Sequence, residues 1–107
     1  MKAMTSEEYL EFLGNLFEAM LVLIVAKNAD YTVGKGAFAN FDKAHELGVD
    51  PMVGVLLRME DKFQRIKSFI KSGELKVKGE SVEDAFKDII GYAGICLGML
   101  EQDRREP

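Results

Sequence analysis

The sequence predicts an all-α fold, a small four-helix bundle with one helix short. Apolar residues recur every three or four positions through most of the chain, the spacing of a helix face. Capping residues stand at the head of these runs. Only two prolines and no internal repeat occur among 107 residues, so a β-sandwich or a solenoid has no signal to start from.

The first helix is expected to begin near Thr5. Its hydroxyl can cap the backbone while Glu8, three residues on, reaches back in a capping box. Leu10, Leu13, Phe17, Leu21 and Ile24 mark its apolar face, and from Leu21 to Ala26 it is apolar nearly all round. Such a helix needs cover on more than one side, and a second copy of the chain could supply it, so an oligomer, a dimer or higher, is expected. Lys27 to Ala37 reads as a loop, with Gly34 and Gly36 supplying backbone freedom. A short helix follows from about Ala37 to Leu47, closed by Gly48.

Asp50 and Pro51 read as cap and first residue of the third helix. Leu56, Met59, Phe63, Ile66 and Ile70 form its expected core face, and Gly73 ends it. After a polar connection from Gly73 to Gly79, Ser81 caps the last helix with Asp84 serving the same end. Phe86, Ile89, Ile90, Ala93, Leu97 and Leu100 are its expected core face. Gly91, Gly94 and Gly98 each cost about 1 kcal/mol relative to alanine inside a helix, which points to a close helix–helix approach. One domain over residues 1–107 is expected, with 1–4 and 103–107 frayed.

Composition narrows the function. Fourteen basic residues against 18 acidic ones give a net charge of −4, without the basic footprint of a nonspecific nucleic-acid binder. Cys96 is the only cysteine, so no disulfide framework exists and a reducing cytoplasm is the expected setting. With His45 the only histidine, neither a zinc site nor a hydrolase triad has its residues. The start lacks a signal peptide, and the most apolar window, Leu16 to Ala26, falls short of the roughly 20 residues a membrane span needs. A soluble protein with no membrane partner is expected.

Three segments could carry chemistry. Glu80, Asp84 and Asp88 are spaced by four, and Tyr92 continues the stripe beside the expected core face. Carboxylates one turn apart can hold Mg²⁺ that bridges to phosphate oxygens. The same acids could equally be a solvated face complementing the helix dipole. On the third helix, Arg58, Asp61, Lys62 and Arg65 cluster, supplying cations for phosphate, or simply a solvated charge stripe. The segment after the first helix offers Lys27, Asp30, Tyr31 and Lys35 among glycines; it is not a Walker loop, though Gly34-Lys35-Gly36 could meet a phosphate. Phe38, Asn40 and Phe41 could contact a base, or the phenylalanines could anchor the short helix.

Taken in order, Lys27-Asn28-Ala29-Asp30-Tyr31, Phe38-Ala39-Asn40-Phe41, Asp61-Lys62-Phe63-Gln64-Arg65 and Glu80-Ser81-Val82-Glu83-Asp84 with Asp88 and Tyr92 resemble a known family. It is that of the nucleotide-modification-associated helical domains of phages and some bacteria, and the resemblance runs from about Lys27 to Tyr92. It implies a role in nucleotide metabolism or DNA-base modification during infection, in the host cytoplasm. A more distant likeness is to MazG-type all-α nucleoside triphosphate pyrophosphatases, oligomeric bundles that use Mg²⁺ held by carboxylates. Where those have Glu-x-x-Glu, this chain has Arg58-Met59-Glu60-Asp61-Lys62, which lowers the ligand count expected from that helix.

The leading expectation is therefore a Mg²⁺-assisted protein that binds a nucleotide or nucleoside triphosphate and releases monophosphate and pyrophosphate if it is an enzyme. Asp61, Glu80, Asp84 and Asp88 would hold the metal, with Asp61, Asp84 and Asp88 also placing the water. Lys27, Lys35, Arg58, Lys62 and Arg65 would neutralise phosphate, and Asp30, Tyr31, Asn40 and Tyr92 would contact sugar or base. Two rivals stand beside it: a non-catalytic protein that sequesters a nucleotide signal or binds a host protein, and a purely structural helical dimer.

Overall fold

A computed structural model describes residues 2–31, 36–73 and 81–105, with backbone alone for 28–31. The described residues are all-α: α1 (Ser6–Tyr31), α2 (Ala39–Asp42) running on into a 3₁₀ turn (Lys43–Leu47), α3 (Pro51–Ser72) and α4 (Val82–Arg105), with no strand among them. The chain falls into two compact units, Met1–Ala37 and Phe38–Pro107.

In the first unit the capping box forms as its sequence dictates. Thr5 Oγ1 accepts from the Glu8 amide at 3.1 Å, and Glu8 Oε1 accepts from the Thr5 amide at 3.3 Å. Helix α1 then runs 26 residues, to Tyr31, so Lys27 to Tyr31 are helical where the sequence reading has a loop. Asn28 and Asp30 have only modest helix propensity, and the first glycine of the segment, Gly34, lies beyond the helix end. Leu10, Phe17, Leu21, Val22, Leu23 and Val25 are exposed. The stretch Ser6–Lys27 is long and apolar enough to cross a membrane by length and composition, a longer run than the Leu16 to Ala26 window because it takes in Tyr9, Leu10, Phe12 and Leu13 as well.

In the second unit, capping again fixes the boundaries. Gly48 takes a left-handed backbone (φ 72°), its amide donating to His45 O at 3.0 Å while that of Val49 reaches Ala44 O at 3.0 Å. Asp50 accepts from the Met52 amide at 2.9 Å, with Pro51 in the first turn behind it. Gly73 (φ 79°) ends α3, donating to Phe69 O at 2.7 Å. At the head of α4, Ser81 Oγ accepts from the Asp84 amide at 3.1 Å, and Asp84 Oδ2 from the Ser81 amide at 3.4 Å. The far end of α4 is helical to Arg105, where Arg104 and Arg105 complement the helix dipole and both reach Glu101, at 3.3 and 3.4 Å.

The core of this unit is small and only partly on the expected faces, where Ile66 is buried as expected and Met59, Ile89 and Ala93 are half-buried. Pro51, Val55 and Ile66 are buried on α3, Ala85 and Met99 on α4. Leu56, Phe63 and Ile70, and Phe86, Leu97 and Leu100, are exposed instead. Both helices carry apolar residues on more than one face, so period alone could not say which face meets the neighbour.

The three α4 glycines also separate. A Cβ at Gly91 or Gly94 would meet nothing within 4 Å, whereas one at Gly98 would lie 2.6 Å from Phe38 Cζ. The close approach is an aromatic ring against one glycine rather than a helix along three. Gly91→Ala and Gly94→Ala should each raise stability by about 0.5–1 kcal/mol in urea melts. Gly98→Ala should lower it by about 1 kcal/mol, because overpacking against the ring exceeds the helix-propensity gain. Equal gains at all three would remove the role assigned to Phe38.

Burial pushes the Cys96 thiol above its ordinary value. Iodoacetamide at pH 8 should therefore alkylate it more slowly in the folded protein than in urea. The gap should narrow as pH rises through the folded pKa; identical rates at pH 8 would contradict this.

Candidate functional site

The face that α4 turns to α3 follows one residue per turn from buried Ala85 through Asp88 and Tyr92 to Met99. On α3, Val55, Met59, Lys62 and Ile66 are the least exposed residues of the matching stripe. Polar groups therefore stand in the middle of an otherwise apolar contact. Lys62 Nζ and Asp88 Oδ2 meet there at 3.0 Å, with the lysine side chain only 14% exposed and the aspartate 45%. One helix turn separates Asp88 from Tyr92.

Beside this bridge opens a cleft of about 360 Å³ lined by Leu57, Arg58, Asp61, Lys62 and Tyr92. Its acids and bases are largely paired. Asp61 lies 3.2 Å from Arg65 within α3. Arg58 differs: among the described residues no carboxylate pairs with it, and its guanidinium lies over the Phe41 ring, 5.3 Å from the centroid. A cation stacked on a ring keeps all its N–H donors for another partner, and phosphate oxygens are the natural acceptors.

The structure thus brings Arg58, Asp61, Lys62 and Tyr92 to one cleft, with Arg65 and Asp88 bridged to its walls. Asp84 sits at the head of α4 with its carboxylate on the Ser81 amide. Asn40 is exposed on α2, and Lys27 is exposed near the end of α1. The side chains of Asp30 and Tyr31, and Lys35 and Glu80 entirely, lie outside the described residues. Among the described residues, no group of three or more histidine, cysteine, aspartate or glutamate side chains could hold a metal ion, so the magnesium expectation draws no support from them. Sequence reasoning misses two contributors: it does not reach Leu57, and it offers Phe41 as a base contact or anchor rather than as the seat of Arg58, since the spacing Phe41…Arg58 carries no periodic signal.

Asp88→Asn should cost about 1–2 kcal/mol in thermal or urea unfolding, because it leaves the nearly buried Lys62 ammonium without its counter-charge. Asp61→Asn, whose partner pair is more exposed, should cost no more than about 0.5 kcal/mol. Equal costs would show that burial of Lys62 is not what gives the cross-helix bridge its weight.

Comparison with characterised proteins gives no match, nor does comparison with solved structures. A family model does match: nucleotide modification associated domain 1, over residues 27–100 of 107. The match takes in α2, α3, most of α4 and every residue lining the cleft. On that match, covering well over half its length, the chain belongs to the nucleotide modification associated domain 1 family.

Proposed function

We propose that the α3–α4 cleft binds the phosphate end of a nucleotide and that the protein serves nucleotide metabolism or base modification in the cytoplasm. The observation that carries this reading is Arg58, held over Phe41, without a carboxylate partner among the described residues, and opening on the same cleft as Lys62 and Tyr92. Arg58 makes the first contact with a phosphate. Lys62 and Arg65, still bridged to Asp88 and Asp61, border the phosphate, and the Tyr92 ring and phenol take the sugar or base. Family membership supports the choice of a nucleotide as ligand.

Retention of the ligand, rather than its cleavage, is the second part of the proposal. Asp61 is engaged by Arg65, Asp88 by Lys62 and Asp84 by the α4 cap, which leaves none of the three poised on a water. Pyrophosphohydrolysis with Mg²⁺ is the alternative, and chromatography of the incubated nucleotide separates the two: intact ligand, or monophosphate with pyrophosphate. The proposal also includes assembly through α1, motivated by its exposed apolar residues; light scattering showing a monomer at micromolar concentration would remove that part.

The test is a thermal melt with ribo- and deoxynucleotides, each with and without Mg²⁺, run beside Arg58→Ala. A nucleotide at 100 times its Kd should stabilise the wild type by about 2.7 kcal/mol, a shift of many degrees in a domain this small. Arg58→Ala should lose most of that shift while keeping its helical circular dichroism. A wild type that responds to no nucleotide would overturn the reading.

A further inference from the structure

We propose that Phe41 is a positioning residue for Arg58, a ring that fixes the guanidinium over the cleft without consuming any of its hydrogen-bond donors. The inference rests on the reading of the cleft as a phosphate site and adds a part that the reading does not contain.

The geometry builds up from the packing of Phe38 and Phe41 on α3 and α4. Gly54 lies one helix turn before Arg58 on α3, and an arginine side chain on a helix leans back toward the N-terminus, over that turn. The Phe41 ring lies beside Gly54, its Cδ1 3.7 Å from where a Cβ would be, an ordinary van der Waals distance. Arg58 then finds a ring face beneath it at 5.3 Å, inside the range of a cation–π contact. The ring is itself held in place. The Phe41 amide donates to Phe38 O at 2.9 Å, and Phe38 packs against Gly98 on α4.

A carboxylate would fix Arg58 equally well, as Asp61 fixes Arg65 at 3.2 Å, but it would occupy the N–H groups a phosphate needs. An aromatic face restrains the side chain through its plane and leaves the edge open. Part of the rotamer entropy that an exposed arginine loses on binding is then lost before the ligand arrives.

Calorimetry with inorganic tripolyphosphate as the probe tests this on the full chain, comparing wild type, Arg58→Ala, Phe41→Leu, Phe41→Tyr and the double variant Phe41→Leu with Arg58→Ala. Phe41→Leu should weaken binding about two- to fivefold, the affinity equivalent of an exposed cation–π contact. Phe41→Tyr, which keeps the ring, should bind as the wild type does. In the Arg58→Ala background Phe41→Leu should have no further effect.

The outcomes separate the two claims. Wild-type protein that does not bind tripolyphosphate, or an Arg58→Ala variant that binds it unchanged, overturns the phosphate site itself. A weakened Arg58→Ala beside an unchanged Phe41→Leu leaves the site standing and overturns the positioning role. Equal weakening by Phe41→Leu in both backgrounds also overturns it, since a general packing defect acts without Arg58. Where Phe41→Leu does not fold, the wild type decides by NMR: the Arg58 Cδ protons should be shifted upfield by the ring, and random-coil shifts overturn the proposal.

Discussion

Lys62 and Asp88 meet at 3.0 Å in the middle of the α3–α4 contact, and the register of the two helices turns on that meeting. The bridge adds little net stability, because desolvating a lysine offsets much of the attraction to its partner. Its effect is on alternatives. Sliding α4 by one turn one way would set Tyr92 opposite a lysine that is only 14% exposed, and the other way would bring Asp84 there only by drawing it out of the Ser81 cap. The apolar residues around it, Val55, Ile66, Ala85 and Met99, could tolerate such a slide far better, since hydrophobic contact has no direction. With the register set, Tyr92 stands one turn beyond Asp88 and joins Leu57, Arg58 and Asp61 around one cleft.

Much of this was legible in the sequence wherever the physics is local. The capping pairs Thr5–Glu8 and Ser81–Asp84, the Asp50-Pro51 start and the left-handed glycines 48 and 73 each depend on residues within a few positions of one another. The sequence therefore marks those boundaries closely. The end of α1 was less legible, because Asn28 and Asp30 suit a turn as readily as a helix and nothing nearby forces the choice.

The buried faces were the harder part. Leu56, Phe63 and Ile70 keep helical period as well as Val55 and Ile66 do, and Leu97 and Leu100 compete with Met99. Period shows that a face is apolar, not which partner covers it. The cleft was half visible for the same reason. Arg58, Asp61, Lys62 and Arg65 are neighbours on one helix and so could be grouped from spacing alone. Their pairing with Asp88 and the seating of Arg58 on Phe41 join distant segments, which no local pattern encodes. Spacing offers Asp61 and Asp88 as metal ligands, and their positions add what spacing does not show, a cation beside each.

The notch at Gly98 reaches further than its own packing. Phe38 lies in it, Phe38 and Phe41 share a single turn of backbone, and Phe41 carries Arg58. A methyl group added on α4 would act as a lever with its far arm at the cleft, moving the guanidinium without touching it. On the proposed reading of the cleft, a change at position 98 would reach phosphate affinity through two rings, although the glycine itself touches no ligand.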